Sequence, residues 1–94
     1  MKIRWRPLAE ADRDGIVDYI AQDNVRAAIE LGDTIERRVT ELAEQPRLYR
    51  AGRVSGTREM VVHPNYVVVY RIQRDGIEIL RVLHTARQWP PLSR

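Results

Sequence analysis

The segment Tyr66-Val67-Val68-Val69-Tyr70-Arg71-Ile72-Gln73 constrains the fold more than any other part of the chain. It is almost wholly β-branched or aromatic, as expected for a central strand covered on both faces. Its flanks supply the neighbours such a strand needs. Before it, Thr57–Val62 reads as a strand, and His63-Pro64-Asn65 as the turn, because proline fixes φ and asparagine tolerates positive φ. After it, Arg74-Asp75-Gly76 is a hairpin signal and Ile77–His84 the partner strand.

The first half carries helical periodicity instead. Residues 2–6 alternate polar and apolar up to Pro7 and predict a short strand. From Leu8 to Gln22 the apolar Leu8, Ala9, Ile16, Tyr19 and Ile20 fall near helical spacing. Glu10, Asp12 and Asp14 lie in the first turns, where the helix dipole favours acids. Asp23-Asn24 stops this helix and caps a second one running to about Glu44. That helix has Ala28, Leu31, Ile35, Val39 and Leu42 on one stripe and Asp33/Arg37/Glu41 pairs opposite. So short a link makes an antiparallel helical hairpin. Arg47–Gly56, with two glycines and little pattern, is expected as a loop.

The order is β-α-α-β-β-β. An α+β fold follows, with the hairpin on one face of a four-stranded, mainly antiparallel sheet and the other face available. Ninety-four residues make one domain, 1–94, ending in a tail from Thr85 that Pro90-Pro91 keeps from continuing as helix or central strand. The absence of cysteine excludes disulfides and thiolate metal sites. No apolar run approaches a membrane span and no signal peptide opens the chain, so a cytoplasmic protein without a membrane partner is expected.

Charge is segregated. Residues 1–45 hold seven basic groups against ten acids, whereas residues 46–94 hold nine arginines against Glu59, Asp75 and Glu78. The second half therefore suits an anionic partner, and arginine's planar fork suits phosphate or carboxylate.

The apparatus of most enzymes is missing: there is no glycine-rich phosphate loop, nucleophile-elbow serine or HExxH, and two histidines cannot build a metal site by themselves. No cofactor and no metal are expected. What remains is Arg58, Arg71, Arg81 and Arg87, with His84, Tyr66 and Tyr70 near them. RNA cleavage by 2′-OH attack needs cations for the phosphorane, which arginine supplies, and proton carriers, which His or Tyr supplies. The pleat restricts this chemistry. A two-residue loop at Asp75-Gly76 pairs Arg71 with Leu80 and puts Arg71 and Arg81 on opposite faces. A three-residue loop pairs Arg71 with Ile79 and turns His84 away. In neither register do Arg71, Arg81 and His84 converge. The structural alternatives are Arg81 paired with an acid such as Glu59, His84 bonded to nearby backbone, and His63 as an exposed turn residue.

Gly56-Thr57-Arg58-Glu59, Tyr70-Arg71 and Arg81-Val82-Leu83-His84 followed by Arg87, in this order and spacing, closely resemble the RelE/ParE superfamily of toxins from bacterial type II toxin–antitoxin modules. The resemblance spans about Trp5 to Pro90. It implies the same β-α-α-β-β-β fold and an antitoxin whose C-terminal segment folds on wrapping the toxin. Because the apolar residues of the two helices mostly face the sheet, that partner is expected across the helical hairpin and a sheet edge, with its acids meeting exposed arginines. Operator DNA would be reached only through that antitoxin. RelE-like members cut mRNA in the ribosome; ParE-like members inhibit DNA gyrase. Where RelE-like enzymes carry lysines this chain has Thr57 and Glu59, and where they carry an early arginine on the next strand it has Val67. Arg81-Val82-Leu83-His84 is the ParE-like form.

The resemblance thus implies a non-enzymatic gyrase inhibitor with Arg71, Arg81, Arg87 and Trp89 as target-binding candidates. A ribosome-dependent mRNA endonuclease using Arg58, Arg81, His84 and Arg87 is the alternative. A third reading is a non-toxic protein that binds the antitoxin as a co-repressor. The Arg87–Pro90 tail is expected to grip the target, so that truncating it would abolish toxicity and spare antitoxin binding.

Overall fold

A computed structural model describes residues 2–86, 89 and 90. Strand β1 (Lys2–Trp5) leads into helix α1 (Pro7–Ala21) and helix α2 (Val25–Leu42). Strands β2 (Arg50–Ala51), β3 (Arg58–His63), β4 (Tyr66–Gln73) and β5 (Gly76–His84) follow. The sheet order is β1-β5-β4-β3-β2, with β1 parallel to β5 and the other pairs antiparallel.

The helices start where local chemistry dictates. Pro7 occupies the first turn of α1, where its missing N–H costs nothing. The Asn24 side chain accepts the Ala27 N–H at 3.0 Å, the expected cap of α2. The predicted stripe Ala28, Leu31, Ile35, Val39 and Leu42 is buried, and its last four residues share a core with Met60, Val62, Val68, Tyr70, Ile77, Ile79 and Val82 of the sheet. In α1 the pattern holds only in part: Ala9 is buried and Ile16 and Ile20 pack on the core, but Leu8 and Tyr19 face solvent. Ion pairs on the helix surface run Arg38–Glu41 and, between helices, Arg13–Glu36, rather than through Arg37.

The α+β class is as expected, but the sheet has five strands instead of four. The segment expected as a loop contains β2, which pairs Arg50 with Glu59 and Ala51 with Arg58. The reversal is closed by Gly52 N–H to Thr57 O at 2.7 Å and Thr57 N–H to Val54 O at 3.1 Å. Gly56 supplies a φ of 81°. Two residues of strand leave no period to detect.

Both hairpins differ in detail from the expectation. His63 pairs with Tyr66, so Pro64-Asn65 is the turn, and no described non-glycine residue takes positive φ. Asn65 is instead fixed by its N–H donating to His63 Nδ1 at 3.0 Å. The second turn is Arg74-Asp75, since Gln73 pairs with Gly76. Gly76 is required for another reason: a Cβ there would sit 2.1 Å from the Lys2 carbonyl oxygen, where β1 lies against β5. A bulge follows. Tyr70 pairs with Ile79 and Val69 with Arg81, leaving Leu80 as the extra residue.

Candidate functional site

The bulge decides how the arginines are placed. Arg71 pairs with Glu78 and Val69 with Arg81, so by register Arg71 and Arg81 belong to the sheet face away from the helices. His84 pairs with Tyr66, one of the helix-side core residues. Arg71 and Arg81 thus share a face without His84, as in the three-residue register, but through a two-residue turn plus a bulge.

Arg81 pairs with Asp12 of α1 and not with Glu59. Its Nε and Nη2 donate to the Asp12 carboxylate at 2.7 and 3.0 Å, and both side chains are about nine-tenths buried. The same carboxylate accepts the Val82 N–H at 3.0 Å. Strand β1 ends at Trp5, with Arg6 N–H still bonding Ile79 O, so the next free donor on β5 would be orphaned. Asp12 satisfies it. Its hydrogen bonds hold the Arg81 guanidinium above its ordinary pKa, against the opposing effect of burial. The Trp89 ring lies 5.5 Å from that guanidinium and packs with Leu80 on Val67, Val69 and Leu83.

Arg58 is also engaged. It donates to the carbonyls of Arg47 and Tyr49 at 3.3 and 2.8 Å, and Tyr70, its register partner, donates its hydroxyl to the Pro46 carbonyl. The two strap the chain leaving α2 onto the sheet. Burial, opposed by Arg58 and reinforced by Tyr49, raises the Tyr70 hydroxyl to about 12, so it is a proton donor in a fixed bond at neutral pH. Arg87 lies outside the described residues. His84 is exposed, stands edge-on to Tyr66 with ring centroids 5.5 Å apart, and accepts the Ala86 N–H at Nδ1. That bond leaves Nε2 to carry the proton of the neutral ring.

Two buried carboxylates hold Arg71 and, with it, Arg6, Arg50 and Arg53. Glu59 accepts from Arg50 at 3.2 Å and from the Arg53 side chain and backbone N–H at 3.0 and 2.9 Å. Glu78 accepts from Arg71 at 2.7 Å, Gln73 at 3.2 Å and Arg6 at 3.3 Å. Burial alone would raise both carboxyl pKa values. The hydrogen bonds and cations outweigh it and hold both below the ordinary glutamate value.

A groove of about 510 Å³ runs between α1 and the end of the sheet, lined by Ala11, Asp12, Gly15, Ile16, Tyr19, Tyr66, Val82 and His84. As sequence, Asp12, Gly15 and Tyr19 carry no functional signal, because they share no periodic relation with the distant Tyr66, Val82 and His84 that complete the groove. Among the described residues no three His, Asp or Glu side chains gather as a metal site, and no helix is long and apolar enough to cross a membrane.

The family profile described as ParE toxin of type II toxin–antitoxin system, parDE, matches residues 3–89. The Sinorhizobium fredii protein Y4kP, whose name describes it as a candidate toxin, is 42% identical over 90 residues, covering 95% of this chain and 93% of its own. Toxin RelE2 of Caulobacter vibrioides is 36% identical over 83 residues, covering 88% and 91%. Among solved structures, the chromosomal ParDE toxin–antitoxin system from P. aeruginosa superposes with a TM-score of 0.80 at 24% identity, covering 89% of this chain and 95% of that one. A chain of the YoeB–YefM complex from Staphylococcus aureus reaches 0.61 at 15% identity with the same coverage. These two likenesses establish the fold.

Proposed function

The chain belongs to the ParE toxin family of type II toxin–antitoxin systems, and from that premise we propose that it acts by binding DNA gyrase and stabilising its cleaved DNA complex, not by catalysis, and that a cognate antitoxin silences it. The observation that carries this reading is the Arg81–Asp12 pair. The arginine best placed by sequence to neutralise a phosphorane is already neutralised by a buried carboxylate, and its strand neighbour His84 belongs to the other face. Arg58 is likewise spent on backbone carbonyls. Neither Arg81 nor Arg58 is therefore left as a free cation beside His84 for an mRNA-cleaving step.

The antitoxin's seat, on this reading, is the groove between α1 and Tyr66, Val82 and His84. The exposed Tyr19 at its margin offers an aromatic anchor. Gyrase supercoiling in the presence of purified toxin tests the function. Supercoiling should be blocked and restored by the product of the neighbouring antitoxin gene; full supercoiling at a large molar excess of toxin would sink the proposal.

A further inference from the structure

The two layers of the molecule carry opposite charge. Helices α1 and α2 hold eight acids against four basic residues, whereas the five strands hold six basic residues against Glu59 and Glu78 alone. Those two acids are buried, with side chains 1% and 6% exposed, while the arginines bound to them are outward: Arg6 52%, Arg71 44%, Arg50 63% and Arg53 40%. Each buried carboxylate therefore acts as a pin holding two guanidinium groups at the surface in a fixed pose. A guanidinium has five N–H donors, and Arg6 and Arg50 each give one to their glutamate, so donors remain to face solvent.

The register puts both clusters on one face. Arg4, Glu78 and Arg71 form one row across β1, β5 and β4; Arg50, Glu59, Val69 and Arg81 form the next across β2, β3, β4 and β5. Lys2, two residues from Arg4 and opposite Gly76, adds a further cation on the same face of β1. With strands about 4.8 Å apart and rows two residues apart, the two glutamate pins stand about 12 Å from each other, the scale of a B-DNA groove.

We propose that the arginines rimming the sheet face away from the helices, whose centre at Val67 and Val69 is covered by Trp89, bind the phosphate backbone of duplex DNA, with Arg4, Arg6 and Arg71 on one strand's phosphates and Arg50 and Arg53 on the other's; it rests on the gyrase reading for where that DNA is met. The acidic helix layer orients the approach, since it repels the duplex while the sheet attracts it. The contacts are sequence-independent, as phosphate contacts are.

Fluorescence anisotropy of a labelled duplex of about 20 bp, titrated with purified toxin and no gyrase at about 50 mM salt, should show binding that weakens steeply as salt is raised. The double substitution Arg4→Gln/Arg50→Gln should weaken it about tenfold and lower the salt slope by about 1.8, near 0.9 per lost phosphate contact. Arg4→Lys/Arg50→Lys should keep most of the affinity, and Arg37→Gln on the helix layer should change nothing. No binding, equal loss in Arg37→Gln, or tighter binding of single-stranded RNA of the same length would overturn the proposal. Gyrase inhibition unaffected by Arg4→Gln/Arg50→Gln also overturns it while leaving the gyrase reading intact. Duplex binding by a toxin that leaves gyrase untouched supports this face and removes the other reading.

Discussion

Asp12 is the residue whose role is least visible in the sequence and most consequential in the structure. Placed near the start of a helix, it reads as a complement to the helix dipole; in the fold it closes the end of β5 and neutralises Arg81. Asp12→Ala should cost about 3 kcal/mol, the low end for breaking a buried pair, because both side chains keep about a tenth of their exposure. Asp12→Ala combined with Arg81→Met should cost less than Asp12→Ala alone, since no uncompensated charge is left behind. Urea unfolding of the three proteins checks both statements. Tyr70→Phe, which removes the strap to Pro46, should cost about 1 kcal/mol in the same measurement.

Between elements, β1 lies so close to β5 that Gly76 has no room for a side chain. Gly76→Ala would drive a methyl against the Lys2 carbonyl and should destabilise by about 1–3 kcal/mol as β1 shifts outward. Loss of protection of the amides bonded along this seam in hydrogen exchange would locate the damage there. The tail is a second element whose role the fold changes. Because Trp89 packs on Val67, Val69 and Leu83, truncating at Arg87 removes core contacts together with any grip on a target. Trp89→Ala should lower stability by about 3 kcal/mol, the low end for truncating a tryptophan because Trp89 is only partly buried, and antitoxin binding by that variant, measured by calorimetry, separates packing from recognition: unchanged affinity with lower thermal stability is the expected result.

For the whole molecule, the buried glutamates set the acid limit of stability. Glu59 and Glu78 have folded pKa values below the ordinary 4.5, so the folded state binds fewer protons than the unfolded chain as pH falls past that value. Their contribution is complete above about pH 4.5 and is lost as pH drops through the lower folded values. At the alkaline end the sign is reversed. Tyr70 is raised from 10.0 to about 12, so its contribution is complete below pH 10 and is lost between there and about pH 12. Thermal melts from pH 7 to pH 3 should show the acid fall, and Glu78→Gln should flatten part of it while lowering stability at pH 7.

The α+β class, both helices, the Asn24 cap and the buried stripe of α2 were legible in the sequence because each rests on local spacing and local hydrogen bonding. Strand β4 was legible to the residue, since a run without alternation has only one use here. What the sequence could not supply were facts that depend on elements far apart in the chain. The partner of Arg81 lies 69 residues away, the reason for Gly76 is the carbonyl of Lys2, and the bulge at Leu80 is a property of the paired ladder that no local pattern announces. Periodicity reports which face a residue seeks. Only the assembled sheet, by putting α1 beside β5 and β1 beyond it, decided which charges meet, which are buried, and which are left facing outward.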